Sequence, residues 1–432
     1  MTRASDSGAL VREPVLGHRI WIRESGDPRA RPVLLVHGVG DRASRDFDPL
    51  VERLAERHRP IAFDLPGFGR SDRRNEHYTP DRYAELLRWI ADERAGGPVD
   101  LVAHSLGGAV ALLFAGLHPH RVGRLALADV AGVLHRQAYA EHMVYLGVDR
   151  VPLVDGGLGG RVQRLLHYWV RPLTRLEPDP SLLFELESAR ERLLGGDPAK
   201  IAGVSLILKN LGPAIDAVRA RTLLVWGADD RIAPLRTGRL LADRIPGARL
   251  EVIDGAAHVP MTQTPERFYA LLDAFLDGPA APEPPPARPP LASERVGRCR
   301  GEAACTFRGE HARVEISGCP AARLEGVRAR ELVVESSDVT LESCEIDSGA
   351  TAVRVTDSRL RATGGSITGE VAIEAEASDL DLAGTVVAGR RFAARAGGER
   401  KSDALFSVCP VVSPLRRGHL HGIYRLVPGK EL

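Results

Sequence analysis

None of the five cysteines precedes Cys299. The first two-thirds of the chain therefore holds neither a disulfide framework nor a thiolate metal site. Cys299, Cys305, Cys319, Cys344 and Cys409 lack the paired C-x-x-C spacing and accompanying histidines of zinc sites, which argues against that metal. They read as small buried hydrophobes of a β core; in an exported protein they would be disulfides, with one left over. Charge of one sign is also missing: 58 basic side chains face 57 acidic ones, a formal net charge of +1. That balance gives no footprint for nucleic acid or an anionic membrane. Arginine outnumbers lysine heavily, which reflects composition and not a binding patch. No stretch approaches the roughly 18 apolar residues of a membrane span. The start, Met1-Thr2-Arg3-Ala4-Ser5-Asp6-Ser7-Gly8, lacks the apolar centre of a secretory signal. These absences lead to the expectation of a cytoplasmic protein.

At 432 residues the chain is too long for one ordinary core. A proline-rich stretch, Gly278-Pro279-Ala280-Ala281-Pro282-Glu283-Pro284-Pro285-Pro286-Ala287-Arg288-Pro289-Pro290, divides it. Proline fixes φ and donates no hydrogen bond, so this stretch reads as an extended spacer. The expected organisation is a first domain at 1–278, a linker at 279–292 and a second domain at 293–432.

The first domain carries a serine between two apolar runs. Val99 to Val102 reads as a buried strand and Gly108-Ala109-Val110-Ala111-Leu112-Leu113 as a helix; between them lies Ala103-His104-Ser105-Leu106-Gly107. A serine at a sharp strand-to-helix turn, with small residues two positions away on each side, is a nucleophile elbow. Its backbone is strained, and only small neighbours fit. The helix N-terminus behind it aims backbone N–H groups at a developing oxyanion. The bland alternative is a serine capping a buried helix.

A reacting serine needs a base, and the base needs an acid. The apolar strand Arg221-Thr222-Leu223-Leu224-Val225-Trp226 runs into Gly227-Ala228-Asp229-Asp230, and Arg249-Leu250-Glu251-Val252-Ile253 runs into Asp254-Gly255-Ala256-Ala257-His258. Serine, aspartate and histidine thus follow separate strands in the order of an α/β-hydrolase. Asp129, after Leu125-Ala126-Leu127-Ala128, competes with Asp230 for the acid, and Asp229 is its immediate neighbour.

Over about 17–277 the chain resembles the α/β-hydrolase superfamily. The resemblance rests on Val36-His37-Gly38-Val39-Gly40, Asp64-Leu65-Pro66-Gly67-Phe68-Gly69, the serine elbow, Gly227-Ala228-Asp229-Asp230 and Gly255-Ala256-Ala257-His258. It is closest to the lidded group of meta-cleavage-product C–C hydrolases, lactonases and small esterases. The resemblance implies Ser105 as nucleophile, His258 as base, Asp230 as acid, and the Val39 and Leu106 N–H groups as oxyanion hole. It implies no cofactor and no metal. Serine at the elbow argues against haloalkane dehalogenases and epoxide hydrolases, which use a carboxylate there. The insertion at about 131–214 is helical in pattern and stands where the superfamily places its cap. Met143, Tyr145, Trp169 and Phe184 are candidate substrate-binding residues, or else the cap's own core. His37 is expected to brace the oxyanion loop, and His104 to point away from the site.

The second domain repeats. Ser337-Asp338-Val339-Thr340-Leu341, Ser358-Arg359-Leu360-Arg361-Ala362 and Ser378-Asp379-Leu380-Asp381-Leu382 recur at 20 or 21 residues. Such a period suits the rungs of a parallel β-helix, with Val, Leu and Ile inward and Ser, Thr and Asp outward. It resembles, in architecture, the right-handed pectate-lyase-like helix; an antiparallel sandwich is the alternative. No cluster of Asp, Lys and Arg marks a lyase site, so this domain reads as a module for a protein, a glycan or self-association.

The expected fold is thus an α/β-hydrolase with a helical cap, followed by an all-β domain. The expected function is serine hydrolysis of an ester, lactone or activated C–C bond in a small, largely apolar molecule. The alternative is a non-catalytic ligand-binding or scaffold protein whose second domain carries the interaction.

Overall fold

The computed structural model describes residues 8–138, 184–278, 289 and 291–432. The chain forms two compact units, Met1–Pro282 and Glu283–Leu432.

The first unit is built on an eight-stranded sheet. Its strands are β1 (Ala9–Arg12), β2 (Arg19–Glu24), β3 (Pro32–Val36), β4 (Arg59–Phe63), β5 (Val99–His104), β6 (Val122–Ala128), β7 (Arg221–Gly227) and β8 (Arg249–Ile253), in the order β1-β2-β4-β3-β5-β6-β7-β8. β2 pairs antiparallel with β1 and with β4; from β4 to β8 every neighbour is parallel. All six residues of β5 are buried. This explains its unbroken apolar character, because a central parallel strand is covered on both faces. The helix Pro80–Ala95 starts at Thr79, whose hydroxyl accepts from the Arg82 N–H, and ends at Gly96 in the left-handed conformation. The helix Leu106–Leu117 buries ten residues in sequence, Leu106 to Ala115. The loops beyond the C-terminal ends of β3, β5, β6, β7 and β8 converge, as ligand-binding loops do in open parallel sheets.

Of the expected cap, 139–183 lie outside the described residues, and Met143, Tyr145 and Trp169 with them. The described part holds the helices Glu187–Leu194, Pro198–Leu208 and Gly212–Ala217. Arg190 anchors it. Its guanidinium is buried and donates to the carbonyls of Phe184 and Glu185 and to both oxygens of Asn75, at 2.8–3.0 Å.

The second unit is a sheet of twelve strands: β9 (Val296–Arg300), β10 (Cys305–Ser317), β11 (Ala322–Glu335), β12 (Asp338–Glu342), β13 (Glu345–Asp347), β14 (Thr351–Thr356), β15 (Arg359–Thr363), β16 (Ser366–Glu376), β17 (Asp379–Ala383), β18 (Val386–Ala396), β19 (Ser402–Val412) and β20 (Arg417–Leu426). The sequence repeats lie in one parallel ladder, in which Asp338 pairs with Arg359, Arg359 with Asp379 and Asp379 with Asp403. Among the described strands of this unit β20 alone pairs antiparallel, along β19, so the unit is not an antiparallel sandwich. Val339, Leu341, Leu360, Ala362, Leu380 and Leu382 are buried, and the residues between them are partly exposed. Arginine–carboxylate pairs join successive repeats outside, as Glu331 does with Arg313 and Arg354 and Glu374 with Arg354 and Arg395.

One expectation is corrected. The serines that open each repeat are buried, not outward. Ser337, Ser358, Ser378 and Ser402 stack at a corner, entered through Ser336, Asp357 and Ala377 at φ 47–49°. Each hydroxyl of the first three donates to the carbonyl two residues back, at 2.6–2.7 Å. Each also accepts the N–H of the residue at the previous corner: Cys319 to Ser337, Ser337 to Ser358, Ser358 to Ser378. The hydroxyl thus satisfies two backbone groups that the chain's turn removes from the ladder. We predict that Ser358→Ala leaves the buried Ser337 N–H without its acceptor and costs about 1–3 kcal/mol. Urea unfolding followed by hydrogen exchange should show the loss in the second unit, with the first unchanged.

Candidate active site

The site begins with a strained residue. Ser105 sits at φ 52°, ψ −118°, between β5 and the helix Leu106–Leu117. Its N–H donates to the Ala128 carbonyl on β6, and its carbonyl accepts from the Ala109 N–H in the helix. Backbone on two sides therefore holds a conformation that a non-glycine residue rarely adopts. Close packing explains the small neighbours. A Cβ on Gly107 would lie 2.3 Å from the Val36 carbonyl oxygen, and one on Gly38 would lie 2.8 Å from the Ser105 Cβ. The elbow and the loop after β3 are pressed together, which brings Val39 beside Ser105 on the wall of one cavity.

His258 Nε2 lies 3.0 Å from Ser105 Oγ, and its Nδ1 lies 2.9 Å from Asp230 Oδ2. The other Asp230 oxygen accepts the N–H groups of Ile232 and Ala233 at 2.8 and 3.0 Å. Burial, the largest single influence, opposes the Asp230 charge, but the hydrogen bond and charge of His258, together with hydrogen bonds from Asp129 and the Ala233 N–H, outweigh it and hold the carboxyl below its ordinary range. Asp229, one residue earlier, is exposed. Its N–H ties the loop to the Ala256 carbonyl.

Asp129 comes to the same place without touching the imidazole by a hydrogen bond. It is fully buried, and its Oδ1 accepts the Gly227 N–H at 2.9 Å. Its Oδ2 has no donor among the described residues and lies beside the Asp230 carboxylate. Two buried carboxylates in contact cannot both stay charged. Burial above all, with the Asp230 charge added, pushes Asp129 far up, so it is the protonated partner and donates to Asp230. The two positions that compete in the sequence for one acid are both occupied, in different protonation states.

The histidines divide the supporting work. His37 Nδ1 donates to the Gly38 carbonyl at 2.6 Å, and Nε2 accepts the Leu65 N–H at 2.9 Å, which braces the loop after β3. His104 departs from expectation. Its ring packs 4.9 Å from the His258 ring, and Nε2 donates to the His258 carbonyl at 2.6 Å. Burial first, then His258 beside it, pulls His104 down to about 3, so it is a neutral donor. Gln263 also escaped the sequence reading. Its side-chain oxygen accepts the N–H groups of Ala257 and Val259, on both sides of His258.

Ser105 and His258 open on a cavity of about 330 Å³. Its walls are apolar, including Val130, Val133, Leu134, Leu206, Ile207 and Ile232. Phe184 is buried but is not among the described residues that line the cavity. The clamp between Arg190 and the Phe184 carbonyl holds that segment against Asn75 instead. Among the described residues two sets of metal-ligand groups lie close together: Asp129, Asp230 and His258, and Cys299, Cys305 and Cys319. The hydrogen bonds above account for the first. Among the described residues no helix is long and apolar enough to cross a membrane.

Comparison with known proteins adds the family. The chain is 30% identical over 282 residues to a pimeloyl-[acyl-carrier protein] methyl ester esterase of Neisseria meningitidis, covering 59% of this chain and 96% of that protein. It is 29% identical over 284 residues to a 2-hydroxymuconate semialdehyde hydrolase of a Pseudomonas species, covering 64% and 97%. It is 29% identical over 281 residues to an uncharacterized protein of Mycobacterium tuberculosis, covering 61% and 80%. The family model for the alpha/beta hydrolase fold matches residues 31–265, more than half of the chain. With its parallel sheet, its serine elbow and this match, the chain belongs to the alpha/beta hydrolase fold family.

Proposed function

We propose that the first unit is a serine hydrolase that cleaves an ester, lactone or activated C–C bond of a small, largely apolar molecule. The observation that carries this reading is the unbroken chain of contacts from Ser105 Oγ through His258 to Asp230. In this reading His258 Nε2 takes the Ser105 proton as Oγ attacks the substrate carbonyl. Asp230 keeps the Nδ1 proton in place and stabilises the imidazolium that forms. The N–H groups of Leu106 and Val39 receive the oxyanion: the first belongs to a helix start, where no helical carbonyl is its partner. His258 then gives its proton to the leaving group. For an ester, water repeats the sequence on the acyl-enzyme; for a C–C substrate the hydroxyl can act differently. The apolar cavity walls favour an alkyl or acyl group over a charged one.

For the second unit we read the stacked parallel ladders as a right-handed β-helix closed at one end by β20, with 279–292 as the spacer before it. The 20- to 21-residue period and the serine corners support this.

Three outcomes test these roles. A fluorophosphonate probe should attach to Ser105, and Ser105→Ala should lose both the label and roughly 10⁴-fold or more of ester turnover. An unlabelled, folded wild type would count against the reading. Asp230→Asn should lower kcat by about 10⁴-fold, because the wrong imidazole tautomer results. Asp129→Asn should cost less than about tenfold, since an amide still donates to Asp230; comparable losses would make Asp129 the acid. The third outcome concerns stability. Asp129 is held protonated, so the native state binds a proton the unfolded chain releases, and this group's contribution to stability falls as pH rises above the ordinary carboxylate range. Asp129→Asn removes that penalty. Its unfolding midpoint should exceed the wild type's at pH 8, with the gap closing towards pH 4.

A further inference from the structure

Three of the five cysteines meet at the start of the second unit. Cys299 is the last residue but one of β9, Cys305 opens β10 and Cys319 follows β10 in the turn to β11. Parallel pairing sets Cys299 opposite Ile316, three residues before Cys319. All three sulfurs lie within 4.8 Å of one another. Cys299 stands in bonding range of both others, with Cα–Cα separations of 6.5 Å to Cys305 and 6.7 Å to Cys319. Both fall inside the roughly 4.4–6.8 Å that a disulfide spans. One sulfur forms one disulfide at a time, so the two pairings exclude each other. Cys299 and Cys319 are buried, and Cys305 is half-buried.

We propose that Cys299, Cys305 and Cys319 form a thiol–disulfide exchange site, in which Cys299 is shared between two alternative disulfides and Cys305 is the thiol offered to low-molecular-weight disulfides. The exchange balances without an external oxidant. The Cys305 thiolate attacks Cys299 Sγ in the Cys299–Cys319 bond. The Cys299–Cys305 bond forms, the Cys299–Cys319 bond breaks, and the electron pair remains on the Cys319 sulfur, which takes up the proton Cys305 gave up. One disulfide and one thiol stand on each side. The first disulfide is made by a low-molecular-weight disulfide such as oxidised glutathione, which is reduced to two thiols as two cysteines are oxidised. In the Cys299–Cys305 state the bridge closes the short turn at 301–304. In the Cys299–Cys319 state it ties β9 to the turn after β10 and leaves the half-buried Cys305 as the thiol.

The remaining cysteines lie outside this exchange. Cys344 and Cys409 are buried and donate their thiols to the carbonyls of Leu324 and Leu382, each at 3.2 Å. Burial pushes the Cys344 thiol up to about 11, away from the thiolate that exchange requires. A zinc site is the rival use of three sulfurs. No fourth ligand joins them among the described residues, whereas structural zinc takes four.

The full chain is equilibrated in glutathione buffers of graded oxidation, acid-quenched, alkylated and digested with trypsin. Arg298, Arg300, Arg308, Arg313 and Arg323 separate the three cysteines into different peptides. The expected result is both linked pairs, Cys299–Cys305 and Cys299–Cys319, in one sample, with alkylated Cys319 and Cys305 in complementary shares and Cys344 and Cys409 outside every linkage. Cys305→Ser should hold only the Cys299–Cys319 pair and Cys319→Ser only the Cys299–Cys305 pair. A single linkage in wild type at every buffer composition overturns the proposal. So does one equivalent of bound zinc with no linked peptide. Because wild type alone decides, a variant that fails to fold does not blunt the test.

Discussion

The first unit depends on one close approach of backbone to backbone. The elbow at Ser105 and the loop after β3 lie so near each other that neither Gly107 nor Gly38 has room for a Cβ. The strain at Ser105 is held by hydrogen bonds to β6 and to the following helix. This packing lifts the hydroxyl out of the sheet, brings Val39 beside it and leaves the helix N-terminus behind it. Strain of this kind persists only where the surroundings over-determine it. Here the surroundings are the fully buried strand β5 and a helix apolar over its first ten residues.

Around that point the polar groups form a sequence in which each fixes the next. Asp129 holds a proton against Asp230, Asp230 holds the His258 ring, and His104 and Gln263 hold the backbone on which His258 stands. A low-dielectric setting makes such a network strong when every member is satisfied and costly when one is not. That is why a neutral His104 and a protonated Asp129 belong to it: a second positive or negative charge here would have no partner. In the second unit the same accounting takes another form. The turns that interrupt each repeat free backbone N–H groups, and the serine hydroxyls take them up from one repeat to the next. Parallel stacking without those hydroxyls would bury unsatisfied amides at every corner.

Much of this was legible in the chain. Ser105 and Asp230 follow apolar strands and His258 follows the edge strand Arg249–Ile253, and strand ends in a parallel sheet converge, so strand order alone brought them near one another. The repeat was legible because side chains stack in register: Asp338, Arg359 and Asp379 are equivalent in sequence and paired in space. What escaped were contacts between side chain and backbone across loops. Nothing near His104 in sequence marks the His258 carbonyl as its acceptor, and Gln263 reaches its two amides from a four-residue helix. The serine orientation was misread because alternation predicts strand faces and not corners.

The sequence by itself determined the elements, their order and the chemical types at the strand ends, because apolar period and small-residue spacing are local properties. It also carried the repeat length of the second unit. Only the tertiary structure decided which of two aspartates keeps its proton, because that depends on burial and on a neighbour about a hundred residues away. Only the register of β9 on β10 decided that Cys299 comes beside the turn that carries Cys319, because a pairing offset is a property of two strands and not of either alone.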